Sequence, residues 1–162
     1  MAQQFINIGS SANDGTGTNW RDCWDFTNQN FTELYSGVEE LNLNDRIIVK
    51  QASDLSGPLD STKEYFIDGV IDMGNQSIEI PAGGISLSGY NFNVSKLTST
   101  ASSYTMFTSP VGGSGDIIGK DYAIEVSGSS SKVYDIKDAT GGNALEFARI
   151  NYNNCTSLGV ID

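Results

Sequence analysis

The sequence contains no histidine among its 162 residues, and it has only three prolines, two cysteines and nine basic side chains. Without histidine, the chain itself cannot supply a Ser-His-Asp triad, a Cys-His dyad or a histidine metal site. The two cysteines, Cys23 and Cys155, lie far apart in the sequence and do not make a disulfide framework, so we expect two reduced thiols. These absences exclude several common classes of enzyme and metal-binding protein.

The scarcity of basic residues also limits the partners of the chain. Twenty acidic residues give a net charge of −11, whereas nucleic acids and anionic membrane surfaces select basic patches. No apolar run is long enough to span a bilayer, and the N-terminus lacks the basic and apolar regions of a signal peptide. The sequence therefore predicts no nucleic-acid partner, no membrane insertion and synthesis in the cytoplasm.

What the chain does have is glycine, at 18 positions, and many short runs of Ile, Val, Tyr and Phe. From residue 46 onward these runs are separated by Gly, Asn and Ser, which is typical of strands joined by turns. A strand is predicted over 46–50, followed by a short helical turn and a Gly-Pro break within 52–62. The predicted fold is mainly β, with a β domain over 46–162 and a helical segment over 1–45.

The helical segment is predicted to begin with a strand and a tight turn. Residues 3–9 alternate around Phe5, Ile6 and Ile8, and a dense turn follows at Asn13, Asp14, Gly15, Thr16 and Gly17. The turn lacks the alternating acids of a calcium loop and the lysine of a phosphate-binding loop. A helix is predicted to start after it, with Thr18 or Asn19 as the N-cap.

The predicted helix carries six apolar residues and one threonine at alternating steps of four and three, which is the spacing of a coiled-coil seam. Gly37 is predicted to end the first helix near Ser36. The bulk of two tryptophans favours a trimer, or docking into a partner, over a tight dimer. The alternative is one amphipathic helix lying on its own β domain. The seam residues are Trp20, Trp24, Thr27, Phe31, Leu34, Val38 and Leu41.

The β domain contains an internal repeat. Three Gly-Gly pairs, at 83–84, 112–113 and 141–142, are spaced 29 residues apart. Two further columns follow the same period, the first with Ile78, Phe107 and Ile136 and the second with Leu97, Val126 and Cys155. A fixed period of this size is typical of a solenoid. The predicted solenoid is a parallel β-helix of about four rungs that is formed by a single chain. The alternative is a glycine-rich β-sandwich. Because the sequence stops without a capping helix, we expect a longer natural chain or a partner at that end.

Two stretches of the chain resemble bacteriophage tail-fibre and tailspike proteins. Residues 7–37, NIGSSANDGTGTNWRDCWDFTNQNFTELYSG, resemble a segment near the start of these proteins, and residues 54–92 resemble the opening rungs of their right-handed β-helices. The pattern is kept at Ile6, Asn7, Gly9, Asn13, Asp14, Gly15, Thr16, Gly17, Arg21, Phe26, Asn30, Phe31, Glu33, Leu34 and Tyr35. At 18–20 the chain has TNW, where an Asp and a smaller apolar residue are usual.

This resemblance implies a structural protein of the virion. Residues 1–45 would attach the appendage to another tail or baseplate protein and assemble a homotrimer, and no cofactor is implied. Full-length relatives carry receptor-binding or glycan-degrading regions further along the chain. The residues assigned to the attachment segment are Phe5, Ile6, Ile8, Asn13, Asp14, Gly15 and Gly17.

The alternative function is a β-helix that binds or degrades a host-surface glycan. Glycoside hydrolysis needs two carboxyl groups about 5–9.5 Å apart. The candidate pairs are Asp68 with Asp72, Asp116 with Asp121, and Asp135 with Asp138. We expect these acids to be solubilising groups on a β surface, and the sequence predicts no catalytic residue and no metal site.

Overall fold

Over the described residues the protein is mainly β, with one long helix and with strands that pair in parallel. The computed structural model describes residue 7 and residues 15–40, 45–138 and 141–162; in α1 the side chains of 35–40 lie outside the description. The chain divides into two units, Met1–Asn44 and Asp45–Asp162. The first contains the helix α1 (Trp20–Glu40), and the second contains the strands.

The strands of the second unit are short because turn residues interrupt the apolar runs. The 46–50 prediction is confirmed by β1, and the predicted helical turn is a 3-10 helix, Ala52–Leu55. In chain order the strands are β1 (Arg46–Val49), β2 (Glu64–Ile67), β3 (Val70–Asp72), β4 (Ile78–Glu79), β5 (Ile85–Gly89), β6 (Lys96–Ser99), β7 (Thr105–Thr108), β8 (Ile117–Lys120), β9 (Ala123–Val126), β10 (Lys132–Ile136), β11 (Leu145–Ala148), β12 (Asn151–Tyr152) and β13 (Gly159–Ile161).

The strands form three sheets that the chain visits in rotation. Sheet A has the order β1-β2-β5-β8-β11, sheet B has β3-β6-β9-β12, and sheet C has β4-β7-β10-β13. Each strand pairs in parallel with the strand three places further along the chain, apart from β1, which pairs with β2. After β1 the chain therefore consists of four triplets, each giving one strand to every sheet. This arrangement fits a solenoid.

A single apolar core lies between the three sheets. Burying these side chains removes their surface from water at about 25 cal/mol per Å² of apolar area, which is the main stabilising contribution to such a domain. Phe107 stacks on Tyr134 with 5.3 Å between the ring centroids. The core includes Val49, Ile67 and Leu87 from sheet A, Ile71, Leu97 and Ile124 from sheet B, and Ile78, Phe107 and Ile136 from sheet C.

The repeat is less regular than the sequence predicts. Ile78 pairs with Phe107, one step of 29 residues, but Phe107 then pairs with Tyr134 and not with Ile136. The reason is that the steps between paired strands differ. In sheet A, Glu64 pairs with Ser86 after 22 residues, whereas Ile85 pairs with Ile117 after 32.

The second predicted column and the glycine column are also displaced. Leu97 pairs with Ile124, two residues before the predicted Val126. Gly84 packs against the backbone of Asp116, because the link between β7 and β8 has eight residues where the link between β4 and β5 has five. The Gly-Gly pairs are turn residues of links that differ in length, and the register follows the strands.

The helix begins where the sequence predicts and continues further. The side-chain Oδ1 of Asn19 accepts the backbone N–H of Asp22 at 3.0 Å, so Asn19 is the N-cap. The prediction that Gly37 ends the helix is wrong, since α1 continues to Glu40. One glycine inside a helix costs only about 1 kcal/mol relative to alanine, which is too little to stop a helix of this length. Within the described ranges, no helix is both long and apolar enough to span a bilayer.

Candidate assembly surface

The surface that the sequence singles out most clearly is a stripe of apolar side chains on α1. Four of the predicted seam residues, Trp20, Trp24, Phe31 and Leu34, are between 52% and 76% exposed. Their spacing of three, four or seven residues places them on one face of the helix. We call these four residues the α1 stripe.

The two tryptophans at the start of the stripe contact each other. Their rings meet edge to face, with 5.4 Å between centroids, so they form one projecting aromatic surface. Of the other seam residues, Thr27 is half-buried and its hydroxyl donates to the carbonyl of Cys23 at 2.8 Å. The side chain of Val38 and the whole of Leu41 lie outside the described residues.

The neighbouring face of α1 is partly covered. Cys23, Phe26, Asn30 and Glu33 are half-buried, at spacings of three and four residues. The Cys23 Sγ lies 3.5 Å from the carbonyl oxygen of Thr18. The helix therefore has two distinct faces, one partly buried and one that leaves aromatic rings in water.

The turn before the helix is held by a residue further up the chain. Asn7 accepts the backbone N–H of Thr18 at 2.7 Å, and its own N–H donates to the Thr18 hydroxyl at 3.0 Å. Its side-chain amide donates to the carbonyl of Thr16 at 2.9 Å. Gly15 has a left-handed φ of +72°, as a tight turn requires. Asn7 thus ties the N-terminal segment to the start of α1.

Only part of the predicted attachment segment falls within the described residues. Gly15 and Gly17 are exposed next to the start of α1. The remaining residues of that prediction, Phe5, Ile6, Ile8, Asn13 and Asp14, lie outside the described residues, as does most of the strand predicted over 3–9.

The first two candidate carboxylate pairs have local structural roles. Asp68 lies 4.0 Å from the Lys50 ammonium, and Asp72 accepts the backbone N–H of Gly74 at 2.9 Å. Asp116 accepts the backbone N–H of Ala144 at 2.7 Å, so it closes the turn before β11.

The other acids form ion pairs or hold turns. Asp121 and Arg149 occupy equivalent corners of successive triplets and form an ion pair, and the hydrogen bond from Arg149 lowers the pKa of Asp121. Asp135 pairs with Lys132 at 2.7 Å, and Asp138 accepts hydrogen bonds from Asn143. Each of the six candidate carboxylates therefore has a local hydrogen-bond or ion-pair partner.

A cluster of charged and aromatic side chains lies on the outer side of sheet A, and the sequence pattern did not predict it. The Arg46 guanidinium lies 4.8 Å from the centre of the Phe66 ring and forms an ion pair with Glu64 at 2.7 Å. Burial of Glu64 opposes its ionisation, but hydrogen bonds from Ser88 and Arg46 hold its pKa below the usual value. Tyr90 meets Phe66 edge to face at 4.7 Å. Period-two alternation in β1, β2 and β5 was the available signal, but it does not reveal which strands are neighbours.

In the described ranges, no group of three or more Cys, Asp and Glu side chains is placed so that it could hold a metal ion. Comparison with known proteins gives no match: no family model, no curated protein and no solved structure is similar enough to be identified as related.

Proposed function

We propose that this chain is a structural segment of a bacteriophage tail fibre or tailspike. Residues 1–45 attach the appendage to another tail or baseplate protein and bring three copies together. Residues 46–162 form a short right-handed parallel β-helix. The proposed location of the chain is the virion, and its proposed role is assembly of the appendage.

The observation that carries the proposal is the α1 stripe. A helix that leaves two tryptophans, a phenylalanine and a leucine in water gains stability when those side chains are buried, by roughly 1.5–3 kcal/mol for each side chain of that size. The heptad spacing makes identical helices suitable partners, because each copy presents the same knobs and holes. The occupants we assign to the stripe are therefore two further copies of the chain.

Three copies suit the stripe better than two. The tryptophans contact each other edge to face and project from the start of the helix, so they need the wider seam that three helices enclose. Val38 and Leu41 extend the same spacing in the sequence.

The β unit supports the same proposal in a different way. Its three parallel sheets, visited in rotation by four triplets, have the connectivity that a single-chain β-helix requires. Crossover connections between parallel strands of one sheet are right-handed in about 98% of cases, which favours the right-handed form.

Light scattering coupled to size-exclusion chromatography tests the assembly. At micromolar concentration we expect a single species of three times the 17.4 kDa chain mass. Trp24→Ala and Phe31→Ala should each destabilise the assembled form by about 3–5 kcal/mol and shift the profile to lower mass. Gln29→Ala, on an exposed polar part of α1, is the matched control and should leave the mass unchanged. A wild-type chain that elutes as a monodisperse monomer would contradict the proposal.

A polysaccharide-clearing assay tests the enzymatic alternative. The proposal assigns no catalytic role to the carboxylates, because each holds a turn or an ion pair. Clearing by the wild-type chain that is lost in Asp68→Asn and Asp116→Asn would replace the structural function with an enzymatic one.

A further inference from the structure

One corner of the β unit is longer than its counterparts. The links from sheet A to sheet B have two residues after β2, β8 and β11, at 68–69, 121–122 and 149–150. After β5 the link has six residues, Tyr90–Ser95. We call this segment the corner loop. In repeat architectures an insertion into one repeat forms a loop on one face, which is often the binding face.

The corner loop has a defined conformation. The carbonyl of Asn91 accepts the backbone N–H groups of Val94 at 3.1 Å and Ser95 at 2.9 Å, and its side chain accepts the N–H of Asn93 at 2.9 Å. The Ser95 hydroxyl accepts the N–H of Tyr90 and donates to the carbonyl of Ile67 at 2.7 Å. The loop is therefore tied both to itself and to the preceding triplet.

This ordered loop displays apolar side chains in water. Tyr90, Phe92 and Val94 are between 38% and 61% exposed, and they alternate with Asn91 and Asn93. The carbonyl and side chain of Asn91 close the turn, whereas the three apolar side chains remain exposed. Exposed apolar groups that are held in place in this way are typical of contact surfaces.

The charges around the corner loop favour a second copy of the chain as its partner. The loop contains no charged residue, and the acids at the equivalent corners of the neighbouring triplets, Asp68 and Asp121, are paired with Lys50 and Arg149. A cationic partner would be drawn to the carboxylates of a chain whose net charge is −11. A second copy carries the same negative charge and is repelled by those surfaces, so a neutral apolar patch is where it can approach.

We infer that the corner loop is a second contact between copies of this chain, separate from the α1 stripe. The inference rests on the proposed assembly, and it adds a lateral contact between β units. Tyr90 and Phe92 are its principal contact residues, since exposed aromatic side chains contribute most to such interfaces. Tyr90 is supported from below by Phe66, so its position requires little ordering on association.

Sedimentation equilibrium of full-length variants tests the loop against the stripe. Tyr90→Ser combined with Phe92→Ser should weaken association at least tenfold. Val111→Ser, which removes a fully exposed apolar side chain from the link between β7 and β8, is the matched control and should have no effect. Tyr90→Phe keeps the ring and should associate as the wild type does. Circular dichroism of each variant shows whether it folds.

A photo-crosslinking residue at position 92 gives a second readout. In the assembled protein we expect adducts between position 92 of one copy and residues 45–162 of another. Absence of such adducts in an oligomeric sample, or association within twofold of wild type for the double variant, would overturn the inference. If Trp24→Ala dissociates the assembly and the loop variant does not, only the inference fails. A wild-type monomer would overturn both.

Discussion

The β unit buries most of its large apolar side chains, with Phe107 and Tyr122 almost completely buried, whereas α1 leaves Trp20 and Trp24 in water. The β unit, Asp45–Asp162, forms its contacts with itself through three parallel sheets. A single helix cannot do the same, since a helix in isolation is marginally stable and depends on packing of its apolar face. The difference indicates that the stability of the β unit comes from its own core, whereas the exposed side chains of α1 contribute only when something covers them. Substitutions in the two regions should therefore have different effects on the free energy of unfolding.

The largest expected effect comes from opening the core of the β unit. Phe107→Ala removes a buried ring that stacks on Tyr134, and it should lower the free energy of unfolding by about 3–5 kcal/mol. Urea denaturation measures this loss. Val111→Ala, at an exposed position, should change the free energy by less than about 0.5 kcal/mol. Equal effects of the two substitutions would mean that Phe107 is not in a packed core.

The second-largest loss of stability should come from substituting a glycine at a crowded position. A Cβ at Gly128 would collide with the backbone of Ala101 in the preceding triplet. Gly128→Ala should therefore cost about 1–3 kcal/mol through overpacking. Gly57→Ala is the matched control, because its φ of +74° is left-handed but no atom lies within 4 Å. That substitution should cost only about 1 kcal/mol, and a thermal melt of both variants compares them.

Alkaline pH should weaken the β unit and leave α1 unaffected. Burial raises the pKa of Tyr122, and burial together with neighbouring tyrosines raises that of Tyr134. The pKa of these tyrosines is therefore higher in the folded state than in the unfolded state, where it is about 10. The free energy of unfolding keeps its full value below about pH 10 and falls as the pH rises above it. Each fully buried tyrosine should lower stability by about 1.4 kcal/mol per pH unit in that range. Tyr134→Phe should reduce the slope.

Absorbance at 295 nm follows the ionisation directly. The buried tyrosines should titrate only as the protein unfolds, in a single cooperative step. Gradual titration of every tyrosine near pH 10 in folded protein would show that their hydroxyl groups are accessible.

The smallest effect should come from the stripe in the absence of association. At a concentration where the wild type is dissociated, Trp24→Ala should change the free energy of unfolding by less than about 0.5 kcal/mol, because the ring is exposed within one chain. The same substitution should act strongly on the assembled form. A large loss in dilute solution would indicate that α1 packs its stripe within its own chain.

Much of the fold could be predicted from the sequence because local chemistry determines it. Runs such as RIIV and EYFI became strands, and Asn19 caps the helix through its side-chain oxygen. The register could not be predicted, because it depends on the length of each link. The links at 80–84 and 109–116 differ by three residues, and this difference moves Gly84 onto Asp116.

The candidate surfaces divide in the same way. Heptad spacing identified the α1 stripe from local periodicity alone. The corner loop was hidden because its significance lies in comparison with the other corners, and these are recognised only once β5 and β6 are placed in their sheets. The local roles of the candidate carboxylates could not be predicted from their spacing, because they depend on which turns come together, as the hydrogen bond from Ala144 to Asp116 shows.

Intrinsic fluorescence tests the central claim most directly, because the only two tryptophans of the chain, Trp20 and Trp24, both lie in the α1 stripe. If three copies bury the stripe between them, the emission maximum should shift to shorter wavelength as the concentration rises from nanomolar to micromolar. The shift should follow the increase in mass, and Phe31→Ala should move it to higher concentration. Emission that does not change while the mass increases would show that the stripe is not the contact between copies.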